Sequence, residues 1–498
     1  MSDTKTVYAG YPSAFIYDKP EGKKKKIQHC LWGDWLQLKA GRSGDYCEVH
    51  ARGTNGWIHK DEFQEERLLE IVFVDIGQGD GCLIVTPEDK HMIIDAGVGD
   101  NMARFLKWRY GGFKKKWVFE SAVISHPDSD HYKGFGELFK NPNVKFKTIY
   151  HNGIMERNGS QRLGPKTSSG SPRYLTDIIR THKDMETFLA DTSNYKKPNK
   201  QYPAMLKKVL DNEVCENIRM LCHKDGHMPG YGPEKELNIR VLAPLLEGDD
   251  NAPRLRWINS TGKTKNGHSV VLKLQYRDVS LMLGGDLNIP AEEFLLEHYT
   301  GIPCPPKNFE QHQLLVEAAR KTFQVDITKS CHHGSADFST TFLAALNPLV
   351  TVISSGDDEP HAHPRSDTLG TIGRFSRGAR PLICSTELAR STKENIKHPY
   401  QVRQEFRAVD EQWLEHNKAE NQTSKTWKKK NEQLKKKKEK LLEKIERSVA
   451  VYGAINVRTD GHNVVIAQKL ERPRSGSKWD MYRLESHHNG TLTYQSKH

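Results

Sequence analysis

Ser125-His126-Pro127-Asp128-Ser129-Asp130-His131, followed by Tyr132-Lys133-Gly134, decides how the rest of the chain is read. Four side chains able to hold a metal, His126, Asp128, Asp130 and His131, fall within six positions. Ala122-Val123-Ile124 ahead of them reads as a short buried strand, and Gly134 to Phe139 can start a helix. A strand ending in a ligand-rich turn keeps the backbone rigid while several side chains converge on one point. Carboxylates and imidazoles together suit Zn, Mn or Fe, and both kinds in one short loop suit two ions better than one. A Ser/Pro/Asp turn with incidental histidines is the plainer alternative. Distant segments argue against it, because they supply further ligands.

Outward from this loop the same arrangement recurs. Leu68 to Asp75 is an apolar strand running into Ile76-Gly77-Gln78-Gly79-Asp80-Gly81. Cys82 to Thr86 and His91 to Asp95 continue a β-meander, and Asn101 to Tyr110 reads as a helix. Asp75, Asp80 and Asp95 stand at strand ends, where carboxylates can orient ligand histidines or simply form turns. Downstream, Val270 to Tyr276 turns at Arg277-Asp278 and returns as Ser280 to Gly285, delivering Asp286, a carboxylate that can bridge two cations. Val325 to Cys331 ends in His332-His333-Gly334-Ser335, and Leu349 to Gly356 opens into His361-Ala362-His363-Pro364. Strand, then Asp or His, then a polar loop is how α/β enzymes gather a site at one sheet edge.

The 498 residues are enough for two or three domains with a large core. No apolar run reaches the roughly 18 to 20 residues a membrane span needs, so no membrane association is expected. Met1-Ser2-Asp3-Thr4-Lys5 starts polar, which makes the cytoplasm the expected location. Eight cysteines lie scattered without CxxC spacing, fitting a reduced compartment rather than a zinc ribbon. The net charge is +12, and half of it sits in Lys428 to Arg447, where ten Lys and Arg face four Glu. Such an element attracts nucleic acid, an anionic surface or an acidic partner, or is a solvated helix face.

Residues 6 to 65 alternate short apolar runs with Gly, Pro, Asp and Asn turns. Leu31-Trp32-Gly33-Asp34, Gly44 to Val49 and Gly56-Trp57-Ile58 resemble bacterial SH3 domains. That resemblance implies a five- or six-stranded barrel used for docking, or else a packing cap on the next domain. Residues 152 to 235 are polar and basic, with helix-like pieces at Leu175 to Leu189 and Met205 to Leu210. They read as an insertion that covers the site or lines a groove.

Six ordered motifs carry a larger resemblance: Val74 to Gly81, Ile94 to Gly97, His126 to His131, Gly284-Gly285-Asp286, His332 to Ser335 and His363-Pro364. Together they resemble metallo-β-lactamase-fold hydrolases, specifically the branch typified by the hydrolase domain of the DNA-uptake protein ComEC/Rec2. The resemblance implies an αββα sandwich with a two-metal site, Zn or Mn, at one edge. It implies that His126 and Asp128 hold one ion, Asp130 and His131 the other, and that Asp286 bridges. One of His332 and His333 completes the second position, while the other orients it or meets substrate. The commoner family pattern has His where Asp128 stands, which makes Mn competitive with Zn. Asn266 and Ser269 match the ComEC-like pattern. No third histidine of the first position is evident, and His268 either fills it or does not. Asp130 also orients the attacking water, and His363 contacts the scissile phosphate or protonates the leaving group. His361 and Ser335 are further substrate-side candidates.

The expected layout is an SH3-like unit over 1–66, a hydrolase domain over 67–400, a charged helical arm over 401–448, and closing strands with a tail over 449–498. Trp427, Leu434 and Leu441 recur every seven residues in the arm, which fits one long helix or a hairpin broken near Asn421 to Ser424. Lys428, Lys429, Lys430, Lys435, Lys436, Lys437 and Lys438 can grip a phosphate backbone, or the arm binds a protein partner. The leading expectation is a two-metal phosphodiesterase acting on DNA, at single strands or ends, in a setting that fits nucleic-acid-directed antiviral defence. The alternatives are hydrolysis of a small phosphodiester or ester, and a non-catalytic assembly subunit docking through the SH3-like unit and arm.

Overall fold

The computed structural model describes residues 5–167, 172–196, 201–356, 361–386, 399–418, 422–446, 453–474, 477–486 and 491–494. The end of the expected arm (447–448), the start of the closing segment (449–452) and parts of the expected insertion (168–171, 197–200) lie outside these residues.

The first seven strands are β1 (Lys5–Ala9), β2 (Ser13–Tyr17), β3 (Lys26–Leu31), β4 (Trp35–Ser43), β5 (Tyr46–Ala51), β6 (Thr54–His59) and β7 (Phe63–Gln64). They form one sheet in the order β3-β2-β6-β5-β4-β1-β7 around a core that includes Val7, Ile16, Leu36, Val49 and Ile58. Alternating burial along β2 and β5 is the period-2 signature of strands with one face inside. Seven strands replace the expected five or six, because the chain after the turn at Lys60–Glu62 returns to pair Phe63 with Ala9.

Two further sheets stack face to face. The chain continues through β8 (Leu69–Phe73), β9 (Gly81–Val85), β10 (His91–Ala96), helix α1 (Asn101–Arg109), β11 (Trp117–Val123), α2 (Ser129–Tyr132), α3 (Phe135–Phe139) and β12 (Val144–His151). Then come β13 (Tyr174–Leu175), α4 (His182–Ala190), α5 (Gln201–Asp211), β14 (Cys215–Met220), β15 (Leu237–Ala243), β16 (Leu255–Arg256), α6 (Thr261–Gly267), β17 (Val271–Tyr276) and β18 (Val279–Leu283). The second half holds α7 (Ile289–Thr300), α8 (Phe309–Phe323), β19 (Ile327–Lys329), α9 (Thr340–Leu346), β20 (Val350–Ile353), α10 (Ser366–Phe375) and β21 (Leu382–Ser385). Last are α11 (Pro399–His416), α12 (Lys425–Glu446), β22 (Ile455–Thr459), β23 (Val464–Arg474), β24 (Ser477–Ser486) and β25 (Leu492–Tyr494).

One sheet has ten strands in the order β14-β12-β11-β10-β9-β8-β22-β23-β24-β25, the other six in the order β15-β17-β18-β19-β20-β21. Side chains alternate between two cores. Ile71, Phe73 and Ile84 pack toward Ile239, Leu272 and Leu281 of the facing sheet. Val72, Leu83 and Ile93 pack outward against Met102, Phe105 and Leu106 of α1. Leu242, Val271 and Met282 meet α7, α8 and α9 on the far side. The result is helix, sheet, sheet, helix, with strands buried on both faces.

One expectation needs revising, and one open alternative is decided. Residues 152–235 are not only a polar cover. Strand β14 pairs with β12 as the outer strand of the ten-stranded sheet, and Phe188, Tyr202, Leu206 and Val209 enter its outer core. Their amphipathic spacing is diluted by the polar loops between them. The arm is a hairpin of two helices: Trp427 stacks on His416 with ring centroids 5.0 Å apart, and its Nε1 donates to the His416 carbonyl at 3.0 Å. Among the described residues, no helix is long and apolar enough to cross a membrane.

Candidate metal centre

The ligand-type residues come from the ends of different strands. The loop after β11 carries His126, Asp128, Asp130 and His131. Asp80 precedes β9, and Asp95 sits at the end of β10. Asp286 follows β18, His332 and His333 follow β19, and His361 and His363 lie beyond β20. All sit at one edge of the sandwich, because neighbouring strands in register end together. Close backbone approach is part of the construction. Gly79 has φ +104°, and a Cβ there would lie 1.9 Å from the Asp130 carbonyl oxygen. Asp95, His332 and His333 hold φ values of 56°, 49° and 55°, a left-handed conformation that costs non-glycine residues energy and often marks functional sites.

One ligand atom each from Asp130, His131, Asp286 and His333 falls within 4.8 Å of the others. His131 Nε2 and His333 Nε2 stand 3.2 and 3.3 Å from Asp286 Oδ2, and His333 Nε2 stands 3.6 Å from Asp130 Oδ2. The opposite ring nitrogens are tied back. His131 Nδ1 donates to Asp95 Oδ2 at 2.8 Å, and His333 Nδ1 donates to the Ser354 carbonyl at 3.1 Å. These bonds fix the tautomers so that both Nε2 lone pairs face the shared space. Asp95 Oδ1 also accepts from the Ser125 backbone N–H at 2.8 Å, which locks the carboxylate itself. His333 therefore joins the cluster. His332, a quarter exposed, sits at its mouth with Nε2 3.9 Å from Asp286 Oδ2.

A second group adjoins the first. His126 Nε2 lies 3.4 Å from Asp128 Oδ2 and 3.9 Å from Asp286 Oδ2. Its Nδ1 faces the hydroxyls of Ser125 at 3.1 Å and Ser269 at 3.3 Å, and the Ser269 hydroxyl also accepts from the Asp286 N–H at 3.0 Å. Among the described residues no further imidazole joins His126 here. His268 is buried elsewhere, with Nε2 donating to the Arg256 carbonyl at 2.6 Å. The positions beside it reach the site instead. Asn266, with its amide oriented to satisfy both ends, donates to Asp128 Oδ2 at 2.8 Å, and the Lys265 ammonium pairs with Asp128 Oδ1 and Glu156.

The donor set fits divalent cations. His126 Nε2, His131 Nε2, His333 Nε2 and Asp286 Oδ1 are buried without a hydrogen-bond partner, and unpaired buried polar atoms are costly unless something else engages them. The charge balance points the same way. Burial disfavours the Asp128 carboxylate, but His126 and Lys265 more than offset it and hold the group at about 2. Asp286 and Asp130 likewise fall below the ordinary carboxylate range, burial being outweighed by His131 and His333. Burial also works against protonation of His131 and His333, yet the surrounding carboxylates push both well above the ordinary imidazole value. The acids thus favour positive charge in this space, whether a proton or a cation supplies it.

Several sequence candidates lie apart from this space. Asp75 is fully buried against Gly453 and accepts from the Gly77 N–H at 3.3 Å. The Ser335 hydroxyl accepts from the Asp337 N–H at 3.2 Å within its own turn. Asp80 is closer: its carboxylate meets Lys329 and lies 3.2 Å from His333 Nδ1. His363 meets His332 edge-on at 5.7 Å and stacks with His361 at 5.8 Å and His333 at 6.3 Å, and the Ser355 hydroxyl fixes its carbonyl at 2.8 Å. These rings, with Gln78, Asp128, Asp130 and Asn266, line a cavity of about 300 Å³.

Sequence reasoning missed Lys265, Lys329 and Glu156. Lys329 had a signal, a lysine at the end of the short strand that leads into His332 and His333, whereas Glu156 had none. On the hairpin, Lys428, Lys429, Lys430, Lys435, Lys436 and Lys437 are exposed. Lys438 instead pairs with Asp410 and lies 4.9 Å from the Trp413 ring centre, so it serves the hairpin seam.

No curated protein matches the chain in sequence. A family does: the model described as the metallo-beta-lactamase superfamily matches residues 77–331, from the loop before β9 through the strand that delivers His332 and His333. That span covers just over half the chain and most of the ligand-bearing strand ends, and the chain belongs to the metallo-beta-lactamase superfamily.

Proposed function

We propose that this protein is a metal-dependent phosphodiesterase that cleaves DNA at single strands or ends. The observation carrying the proposal is the cluster His332, His361 and His363 beside the ligand group, lining the same 300 Å³ cavity. Divalent cations held by Asp130, His131, Asp286 and His333, and beside them by His126 and Asp128, supply Lewis acidity toward water and toward an anionic oxygen. Zn and Mn both suit this donor set. The residues do the rest. Asp130, partly open to the cavity, is placed to accept a proton from an attacking water. His363 is placed to meet the scissile phosphate or to protonate the leaving oxygen. His332 and His361 add donors for the non-bridging oxygens. The cavity has room for a phosphodiester and a neighbouring sugar but not for a double helix, which favours single strands and ends. The six exposed lysines of α12 offer a sequence-independent grip on the rest of the strand. The ComEC-like motif set supports the same substrate, and an SH3-like docking role for residues 1–66, a cytoplasmic setting and a part in antiviral defence complete the proposal.

The small cavity also favours a second reading, hydrolysis of a small phosphodiester or ester, with the arm serving a protein partner. The test is cleavage of end-labelled single- and double-stranded DNA and RNA with Mn or Zn, wild type beside Asp130→Ala and beside a variant with Lys428–Lys430 and Lys435–Lys437 changed to Gln. Metal-dependent cleavage lost in Asp130→Ala, and weakened with a shallower salt dependence in the Gln variant, supports the nuclease. Cleavage of bis(p-nitrophenyl) phosphate but of no polymer overturns it in favour of a small substrate.

A further inference from the structure

A cavity of about 840 Å³ lies where the N-terminal β-unit meets the ten-stranded sheet, built from both. Its floor is a buried charge network. Arg52 makes two hydrogen bonds to Asp34, at 2.9 and 2.6 Å, and Arg109 makes two to Glu70. Between them Arg458, on β22 and in register with Glu70, reaches Glu70 Oε1 at 2.7 Å and stands 3.6 Å from Asp34 Oδ1. Three guanidinium groups thus share two carboxylates, each already engaged by a two-pronged partner. Arg458 Nε is buried with no hydrogen-bond partner, and so is Trp117 Nε1 on the same wall. Elsewhere in the lining Arg67 pairs with Asp89, so the surplus lies with the three guanidinium groups around Asp34 and Glu70.

The surplus shows in the side chains themselves. Burial lowers Arg458 below the ordinary guanidinium value, and Arg109 and Arg52 lower it further against the pull of Glu70 and Asp34. Lys478 is lowered by burial and by Arg52. A buried cation that its neighbours fail to compensate is costly, and an incoming anion offsets that cost. The walls are aromatic: Tyr8, Trp35, Trp108, Tyr110 and Trp117 line the cavity, and Trp35 is 45% exposed at its rim. Guanidinium groups match phosphate oxygens, and indole faces stack on bases.

We infer that this cavity binds a nucleotide, its phosphate facing Arg458 and Lys478 and its base against Trp35. The site is separate from the metal centre, shares no lining residue with it, and does not depend on the nuclease reading.

The test is calorimetric titration of the full-length protein, in EDTA so that the metal centre takes no part, with AMP, adenosine and inorganic phosphate. Saturable AMP binding, tighter than that of either half-ligand, is expected. Lys478→Ala and Trp35→Ala, both at the rim, should each weaken it about 5- to 100-fold while circular dichroism stays unchanged. Arg458→Met should abolish it, and the rim variants carry the test if that protein fails to fold. Three results overturn the inference: no saturable heat with AMP, phosphate binding as tightly as AMP, or both rim variants binding as wild type does.

Discussion

Two buried charge clusters in this molecule have opposite signs. At the metal centre six carboxylates, Asp80, Asp95, Asp128, Asp130, Glu156 and Asp286, face two lysines, Lys265 and Lys329. At the seam three arginines face Asp34 and Glu70. A buried acid outside both clusters shows what balance looks like: Asp326 meets Arg377 and the Ser280 hydroxyl and N–H. Structural ion pairs close one to one, because an uncompensated charge in a low dielectric is expensive. Where a cluster stays open, the missing sign names the ligand: cations for the first and, on our inference, an anion for the second.

The comparison can be broken from either side. The largest effect is expected from Asp286→Ala, which removes a carboxylate lying within 3.9 Å of all four rings of His126, His131, His332 and His333. Elemental analysis should show metal lost, and hydrolysis should fall by at least ~10³-fold, several kcal/mol of transition-state stabilisation. An active, metal-loaded variant would show that Asp286 does not join the two groups.

Glu70→Gln should come next, leaving three arginines around Asp34. Removing one partner of a buried pair costs about 3–5 kcal/mol, readable in urea unfolding. That cost has a pH signature. Burial opposes the Glu70 carboxylate, but Arg109 and Arg458 outweigh it and hold the group at about 2. A carboxyl lowered in the folded state stabilises above its unfolded value near 4.5 and loses that contribution as pH falls through 2. The stability gap between wild type and Glu70→Gln should therefore be full at pH 6 and shrink by about 3 kcal/mol between pH 4.5 and 2. A gap constant across that range would mean the carboxylate charge is not what matters.

The smallest change tests orientation alone. Asp95→Asn keeps the shape but no longer fixes the His131 tautomer or anchors the Ser125 N–H as a charged acceptor. Metal affinity measured by calorimetry should fall ~10–100-fold with the fold intact. An unchanged affinity would make Asp95 a structural residue only.

What the sequence revealed follows from chain locality. The loop from His126 to His131, Asp286 and His333 each follow an apolar strand, and such strand ends are visible as periodic runs that stop at a polar residue. The helices of 152–235 were legible in part, but β14 was not, since an edge strand reading Cys-Glu-Asn-Ile-Arg-Met has little apolar alternation. The ion pairs were invisible. Lys265 finds Asp128 across 137 residues, and Lys329 sits in a strand whose partner acid precedes β9. His268 shows the converse failure: it neighbours two residues that reach the site, yet its own side chain turns to Arg256, because α6 ends there and the backbone changes direction. The seam cavity draws on residues from Tyr8 to Lys478, so no local pattern could announce it.

Strand β22 lies between β8 and β23 in the middle of the ten-stranded sheet, after the hairpin in sequence. On a ribosome this ordering sets a late checkpoint. Until residues 455–459 emerge, β8 shows an unpaired edge, and Ile71, Phe73 and Ile84 lack Ile455, Val457 and Ile466 as neighbours. Trp32 of the first unit waits even longer, for Val465 and Trp479. A nascent chain halted before that point holds the candidate metal-centre residues but an unfinished sheet, the kind of surface that chaperones retain and proteases remove. The ten-stranded sheet is thereby completed only by the last strands of the chain, long after the candidate metal-centre residues.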